Sequence, residues 1–388
     1  MPFVPEPLAL PWALTLGAIP LTYSLGLISG NVSWVDRAWP FYPVICSTLV
    51  VVWAYNHRLE QYSGALPRLL CMAGLQVSVI PPPPLLRKLT MPVHLVSPTH
   101  PPCDQAGVLR SDRGGLSVHR VQKARSELVL PAHPYLRHWS VVPSASHPCT
   151  YTVLAIAQPL LLFSLAIPLY STLKLSTTGP STGLNSMDLF LVISGLSLVY
   201  LEHKADSAMY AYQTAKHASK STDIVKPTKT QTDSTIGPKP ASYPREFHPG
   251  FIVSNLFRYS RHPNFAAEQL FWVNQTLFAV NAGLASKIPR NEWLAFGPIF
   301  GPCFALSLLF CSSTFLTEWI TSRKVSCGCV EGGVGLRADR KYPTYHAYKG
   351  LVGQFLPQET LWVQLWSVIR GRKQEYFKSV YTPPSSSE

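Results

Sequence analysis

Charged residues are scarce in this sequence. Only 14% of its 388 residues are Asp, Glu, Lys or Arg, whereas an ordinary soluble domain carries about 25%. The apolar share is ordinary, at 47%, so the few charges must be concentrated in short segments between long uncharged stretches. This distribution argues against a soluble globular domain and favours a chain that crosses a membrane.

Acidic residues are the scarcer of the two charge signs, and the net charge is +13. A basic excess is common in nucleic-acid-binding proteins, but here the Lys and Arg residues flank apolar stretches, as they do on the cytoplasmic side of membrane proteins. Residues 204–261 contain nine Lys or Arg against four Asp or Glu. We therefore expect this segment to be cytoplasmic, the partner to be a lipid bilayer, and no nucleic acid to bind.

The eight cysteines lack the spacing of a disulfide framework or a zinc site. Cys327 and Cys329 form a C-x-C pair without the second pair of ligands that structural zinc requires. Four others lie in or beside apolar stretches, where cysteine behaves as a small hydrophobic residue: Cys46, Cys71, Cys303 and Cys311. The sequence thus predicts no metal site.

Apolar stretches near the length of about 20 residues that crosses a bilayer recur along the chain. The predicted spans are Leu8–Ser29, Phe41–Tyr55, Tyr151–Tyr170, Met187–Tyr200, and the hairpin Phe265–Ala285 with Trp293–Ile320. Ala65–Ile80 is a weaker candidate, since it contains Arg68 and runs into a proline block that no helix continues through. The prediction is an all-α, polytopic integral membrane helical bundle of six or seven transmembrane spans, forming one domain over residues 1–388.

The stretch RYSRHPNFAAEQLFW, residues 258–272, carries a cluster of charge directly into an apolar span. A helix from Arg261 would place Asn264 and Glu268 on one face. A carboxylate at membrane depth costs several kcal/mol unless it is paired or faces an internal cavity, and it is a functional candidate by default. The alternative is a structural ion pair between Glu268 and Arg261 or His262. Glu318, near the end of the last span, needs the same explanation.

A second constellation is KYPTYHAYK, residues 341–349, in which tyrosines recur every third position. Phenol groups beside Lys341 and Lys349 can donate hydrogen bonds to a phosphate or a carbonyl group. The alternative is an aromatic belt, because tyrosine is enriched at the headgroup level of membranes.

Four separated motifs, in order, resemble a family of membrane proteins of unassigned function related to steroid 5-alpha-reductases. The motifs are GNVSWVDRAWPFYP at 30–43, EHKADSAMYAYQTAKH at 202–217, LFRYSRHPNFAAEQLFW at 256–272 and KYPTYHAYKGLVGQFLP at 341–357. The wider superfamily also contains sterol reductases and isoprenylcysteine carboxyl methyltransferases. In those relatives the Arg-His-Pro segment and the tyrosine segment build a cytoplasm-facing cofactor pocket.

The resemblance implies roles for individual residues. By resemblance Glu268 would line an internal polar pocket and Tyr345 would close over the cofactor; because buried carboxylic acids and phenols can donate a proton or a strong hydrogen bond, these two are our candidate catalytic groups. The implied cofactor-binding residues are Arg258, Arg261, His262, Asn264, Glu318, Lys341, Tyr342 and Tyr348.

Three functions remain open from the sequence. The first is an NADPH-dependent reductase acting on a double bond of an apolar, sterol-like or polyprenoid substrate in the endoplasmic reticulum. The second is an S-adenosylmethionine-dependent methyltransferase on a lipid-linked acceptor, and the third is a non-catalytic lipid-binding or transport protein. A phosphate-bearing cofactor needs basic side chains, whereas a sulfonium needs aromatic faces and carboxylates.

Two stretches depart from the family pattern, 77–148 and 325–339, and both begin with Val-Ser. In-frame translation of a typical 5′ splice donor gives this dipeptide, so we interpret the stretches as non-family insertions from translated introns; genuine species-specific loops are the alternative. Residues 218–240 and 382–388, rich in Ser, Thr, Lys or Pro, are predicted to be flexible.

Sequencing of the mature transcript across both junctions tests the intron interpretation. We expect the spliced message to lack the codons for 77–148 and 325–339. A message that contains both stretches would establish them as genuine loops of this protein.

Overall fold

The computed structural model describes residues 4–29, 34, 38–57, 64–80, 148–178, 183–223, 247–292, 298–323 and 344–383. Within these ranges every extended regular element is a helix, which confirms the all-α prediction. The helices are α1 Glu6–Ser29, α2 Tyr42–Asn56, α3 Leu66–Ser78, α4 Pro148–Ser164, α5 Ile167–Thr178, α6 Ser186–Asp223, α7 Pro263–Ala285, α8 Gly301–Arg323, α9 Tyr345–Lys349, α10 Pro357–Ile369 and α11 Lys373–Tyr381. A 3₁₀ turn covers Asn255–Arg258.

Three helical segments of the described chain are long and apolar enough to cross a bilayer: Glu6–Ile28, Ala155–Thr177 and Ser186–Lys216. Tyr42–Asn56 is a shorter apolar helix. All four overlap predicted spans, and the protein is an integral membrane protein built of helices. The helices α7 and α8 coincide with the predicted hairpin, and the total of six or seven spans stays a prediction.

Two elements run further than the sequence indicated. Helix α6 continues from the predicted span Met187–Tyr200 to Asp223, although the sequence after the span is rich in charged residues from Glu202 onward. Helix α4 ends at Ser164, and α5 carries the same region on to Thr178. Polar residues at the end of an apolar run do not stop a helix when neighbouring helices bond to them. In α6, Asp206 accepts a hydrogen bond from Asn264 of α7.

The chain divides into two compact units. One comprises residues 1–15, 41–79 and 160–388, and the other comprises 16–40 and 80–159. The larger unit is organised around α6, which packs along α7, while α5 packs on the same α7. Most of the suspected insertion 77–148, all of 325–339, and the predicted site residues Lys341 and Tyr342 lie outside the described residues.

A buried ion pair fixes one end of this bundle. The Arg68 Nε lies 3.0 Å from each carboxylate oxygen of Asp188, and both side chains are essentially inaccessible to solvent. The amide of Asn281 donates to Asp188 Oδ1 at 2.7 Å, and Arg68 Nη2 donates to the Gly183 carbonyl at 3.0 Å. Arg68, which weakened the prediction of a span at Ala65–Ile80, is thus a structural residue that joins α3, α6 and α7.

Asp188→Asn should lower the free energy of unfolding by about 3–5 kcal/mol, because it leaves the Arg68 charge buried without its counter-charge. Denaturant or thermal unfolding of the purified protein in detergent measures the loss. The double variant Arg68→Met with Asp188→Leu should lose less than the single variant, since no charge then stays buried. The exposed substitution Lys204→Gln is the control, and a loss for Asp188→Asn as small as that of the control would contradict a structural ion pair.

Candidate functional site

The Arg-His-Pro segment forms a turn in front of a helix. Helix α7 begins at Pro263, with His262 as its N-cap, because proline has no N–H to lose at the first helical position. Arg261 therefore precedes the helix, and the expectation that the helix starts at Arg261 is wrong by two residues. The backbone N–H of Arg261 donates to the Gly353 carbonyl at 2.9 Å, and that of His262 to the Gln354 carbonyl at 3.1 Å.

Gly353 allows the C-terminal segment 344–383, which we call the tail, to pack closely against this turn. A Cβ at Gly353 would lie 2.4 Å from the Glu359 Cβ and 2.6 Å from the Thr360 backbone nitrogen, distances that real structures do not tolerate. The hydroxyl of Thr360 accepts from the Gly353 N–H at 2.7 Å and donates to the Tyr259 carbonyl at 2.6 Å. Helix α10 is thereby held directly against the turn that carries Arg261.

Glu318, from α8, is the centre of a charged cluster with Arg261, His262 and Lys349, which we call the Glu318 cluster. The Arg261 guanidinium donates to both carboxylate oxygens, at 2.7 Å from Nε and 3.4 Å from Nη2. The His262 Nε2 lies 3.1 Å from Oε1, and the Lys349 Nζ lies 3.9 Å from Oε2. One carboxylate thus faces two permanent cations and an imidazole.

The members of the Glu318 cluster differ in accessibility. The side chains of Arg261 and Glu318 are only 9% and 11% exposed, whereas that of Lys349 is 34% exposed. Arg261 also donates from Nη1 to the Val352 carbonyl. The Lys349 ammonium is the most exposed cation of the cluster and the donor that a bound anion can reach first.

Tyr345 lies in the wall of this cluster, buried at 7% exposure. Its ring packs edge-on against Phe251, with centroids 5.1 Å apart, and the Lys349 Nζ lies 5.6 Å from the ring centre. Burial raises the pKa of the Tyr345 phenol well above its usual value, the negative charge of Glu318 raises it further, and Arg261 opposes both. The phenol is therefore protonated at neutral pH and acts as a hydrogen-bond donor.

Tyr348 and Arg258 have other roles in the structure. The Tyr348 hydroxyl donates to the Phe257 carbonyl at 2.6 Å, and its ring belongs to the apolar core between α9 and α11. The Arg258 guanidinium lies 5.7 Å from the centre of the Tyr381 ring and lines a cleft with Thr360 and Leu361. Tyr348 packs within the tail and Arg258 packs against it, and neither residue forms an ion pair with Glu318 among the described contacts.

Glu268 and Asn264 lie in a separate group of polar side chains between α6 and α7, which we call the acidic band. The Asn264 amide donates to Asp206 Oδ1 at 3.2 Å. The carboxylate of Glu202 interacts electrostatically with those of Glu268 and Asp206. Each helix contributes two residues four positions apart, which places them on one face. The acidic band therefore comprises Glu202, Asp206, Asn264 and Glu268, and the half-buried Glu268 side chain faces protein.

The structure brings together only part of the predicted site. Arg261, His262, Glu318 and Tyr345 meet in the Glu318 cluster, while Asn264 and Glu268 meet in the acidic band. Arg261 and His262 bond to Glu318, in place of the ion pair with Glu268 that the sequence left as an alternative. Among the residues that the structure describes, no group of three His, Cys, Asp or Glu side chains is arranged to hold a metal ion.

Sequence reasoning missed Glu202 and Asp206 as site residues. Both lie in the motif EHKADSAMYAYQTAKH, and their spacing of four positions on a helix was the available signal. The predicted span Met187–Tyr200 ends just before that motif. In the structure it is the continuation of α6.

Comparisons with known proteins match the region that contains most residues of both clusters, without giving a function. A family model described as "Protein of unknown function (DUF1295)" matches residues 135–327, which include the acidic band, Arg261, His262 and Glu318. An uncharacterised protein of the fission yeast Schizosaccharomyces pombe is 26% identical over 346 residues, covering 86% of this chain and 78% of that protein. No solved structure matches the chain.

Tyr345→Phe should flatten the dependence of stability on alkaline pH. The folded-state pKa of this phenol lies above the value of about 10 in an unfolded chain. Its contribution to stability is therefore complete below pH ~10 and is lost as the pH rises toward the folded-state value. Thermal unfolding of the purified protein between pH 8 and 11.5, at ~0.5-unit steps, measures the effect.

The exposed Tyr259 offers a matched control. Tyr259→Phe should keep the alkaline loss of stability seen in the unaltered protein. Equal pH profiles for Tyr345→Phe and the unaltered protein would show that the Tyr345 phenol ionises as freely when folded as when unfolded.

Proposed function

We propose that this protein is a membrane oxidoreductase that uses NADPH to reduce a carbon–carbon double bond of an apolar, sterol-like or polyprenoid substrate. The observation that carries the proposal is the Glu318 cluster, where one carboxylate faces two permanent cations and His262. The excess of positive charge suits a cofactor that bears several phosphate charges. The resemblance to proteins related to steroid 5-alpha-reductases supports the same assignment.

The donor groups of the cluster fit a phosphate. Arg261 is fixed by Glu318 and by the Val352 carbonyl, so its guanidinium is held in one orientation. A guanidinium presents donors in a rigid fork that matches phosphate oxygens, and fixing it beforehand lowers the entropy lost on binding. Lys349 is the most accessible cation of the cluster and binds Glu318 only at 3.9 Å, so it can turn toward an anion.

The same contacts disfavour S-adenosylmethionine. A sulfonium needs an aromatic face and a carboxylate, and Tyr345 and Glu318 are the candidates for both. The face of Tyr345 is already within 5.6 Å of the Lys349 ammonium, and Glu318 already accepts from Arg261. A sulfonium in this position would be repelled by the positive charges of Lys349 and Arg261. The methyltransferase function is therefore the weaker candidate.

NADPH, when bound, would supply a hydride. The chain must then hold the substrate and give a proton, or a strong hydrogen bond, to the oxygen or carbon that becomes electron-rich. Tyr345 provides a protonated phenol beside the cofactor-binding cations. Glu268 provides a second candidate donor, a carboxyl group that neighbours the Glu202 carboxyl between α6 and α7. Hydride and proton together add two hydrogen atoms across the double bond.

The position of the acidic band suits a substrate that comes from lipid. Two of its residues, Glu202 and Asp206, belong to the segment Ser186–Lys216, which is long and apolar enough to cross the bilayer. A substrate dissolved in the membrane would therefore meet the band in a bilayer-crossing part of the protein. We propose the endoplasmic reticulum as the membrane in question, because sterols and polyprenoids are processed there.

Purified full-length protein in lipid nanodiscs should bind NADPH more tightly than NADH or S-adenosylmethionine, measured by the fluorescence of bound NADPH and by competition. Lys349→Gln should raise the Kd for NADPH about tenfold or more, the loss expected when a charge-assisted hydrogen bond of about 1.5–3 kcal/mol disappears. Lys349 is chosen over Arg261 because its removal does not leave Glu318 without a partner.

Lys378→Gln is the matched control, since Lys378 is an exposed lysine of the tail helix α11. It should leave the Kd for NADPH within about twofold of the unaltered value. Tight binding of S-adenosylmethionine without NADPH would replace the reductase by the methyltransferase. Binding of neither cofactor would favour the non-catalytic lipid-binding or transport function.

A further inference from the structure

Helix α10, Pro357–Ile369, exposes most of its apolar side chains and buries two polar ones, the reverse of a helix in a water-soluble protein. Six of its apolar side chains are 50% to 71% exposed: Leu361, Trp362, Leu365, Trp366, Val368 and Ile369. Its buried side chains are Thr360 and Ser367, each only 4% exposed. Exposed apolar side chains are common singly, but a contiguous face that includes two tryptophans marks an interaction surface.

The spacing of these residues defines the surface. At about 100° per residue, the six exposed side chains occupy roughly half of the helix circumference, opposite Thr360 and Ser367. The polar side is anchored through Thr360, whose hydroxyl accepts from the Gly353 N–H and donates to the Tyr259 carbonyl. Ser367 satisfies its hydroxyl within the helix, on the Gln364 carbonyl at 2.8 Å. The helix cannot rotate to bury its apolar face without breaking the two bonds of Thr360.

The charges next to the helix indicate what covers this face. The chain continues as Arg370, Gly371, Arg372 and Lys373, and Gly371 has a positive φ of 66° that ends the helix. The Arg370 guanidinium lies 4.8 Å from the centre of the Trp366 ring, so a cation and an aromatic ring share one edge of the surface. Tryptophan next to Arg and Lys is typical of side chains at the headgroup level of a membrane.

The acidic residue of α10 does not offset this charge. Glu359 Oε2 accepts from the backbone N–H groups of Gln354 and Phe355, at 2.8 and 3.1 Å. Its carboxylate therefore points to the start of the helix, away from the basic end. A surface with an apolar face and a basic edge complements a bilayer that contains acidic phospholipids.

We propose that α10 lies in the plane of the membrane, with its Leu and Trp side chains at the boundary between headgroups and acyl chains and its basic edge on acidic lipid headgroups. Its 13 residues make a helix about 20 Å long, which is too short to cross the hydrocarbon core. Other helices of this chain are long and apolar enough to cross a bilayer, so α10 belongs to a protein that already contacts lipid. The proposal rests on this membrane location and not on the cofactor.

Photocrosslinking from the full-length protein tests the proposal. We would introduce the photoreactive residue p-benzoylphenylalanine at Leu365, on the apolar face, and separately at Gln374, an exposed polar position on α11. The protein would be placed in nanodiscs of phosphatidylcholine with about 30% phosphatidylserine. We expect lipid adducts, detected by mass spectrometry, at least fivefold more abundant from position 365 than from position 374.

Other outcomes would overturn the proposal. A crosslinked species of twice the chain mass from position 365 would assign the surface to a second copy of the protein, and equal lipid labelling at both positions would show that α10 has no special contact with lipid. The share of phosphatidylserine among the adducts should exceed its share of the bilayer. Arg370→Gln with Arg372→Gln should remove that excess while the adducts persist, and an excess that survives would rule out the basic edge as the headgroup contact.

Discussion

The ion pair between Arg261 and Glu318 is the interaction on which the arrangement of the turn before α7, the end of α8 and the tail depends. It joins the turn before α7, the end of α8 and, through the bonds of Arg261 to Val352 and Gly353, the tail. Charges this poorly exposed are costly unless every donor and acceptor is satisfied. The same residues therefore set the fold of the tail and the electrostatic field of the candidate cofactor site, so substitutions at Arg261 would disturb both at once.

Polar groups recur along the contact between α6 and α7, which explains why this helix pair is protein-facing. Asp188 and Asn281 bond at one end, and the acidic band lies toward the other. Between them, Ser194 donates to Asn274 at 2.7 Å. Gly195 makes this approach possible, since a Cβ there would lie 2.9 Å from the Asn274 amide nitrogen. In a lipid environment such bonds orient helices more decisively than apolar packing, because lipid competes equally well for apolar surface.

The sequence was a good guide to the helices and to single residues of the site, and a poor guide to their partners. Apolar length predicted the spans, and the cost of a membrane carboxylate singled out Glu268 and Glu318. The partner of Glu318 lies 57 residues away in the chain, and helix periodicity reports neighbours only three or four positions apart. For the same reason Arg68 counted against a span, although Asp188, 120 residues later, neutralises it. The tyrosine repeat likewise did not distinguish Tyr345, which faces the cluster, from Tyr348, which packs in the core.

The tail shows how a tertiary contact can reverse the meaning of a sequence pattern. The stretch LWVQLWSVI, residues 361–369, read alone, predicts a helix that turns its Leu and Trp residues toward a protein core. Gly353 and Thr360 instead bind the polar side of that helix to the turn carrying Arg261, which leaves the apolar side facing outward. The position of α10 is consequently tied to that of the Glu318 cluster through the two hydrogen bonds of Thr360. If α10 lies in the plane of the membrane, as we propose, the same two bonds hold the Glu318 cluster at the membrane surface, within reach of the proposed water-soluble cofactor.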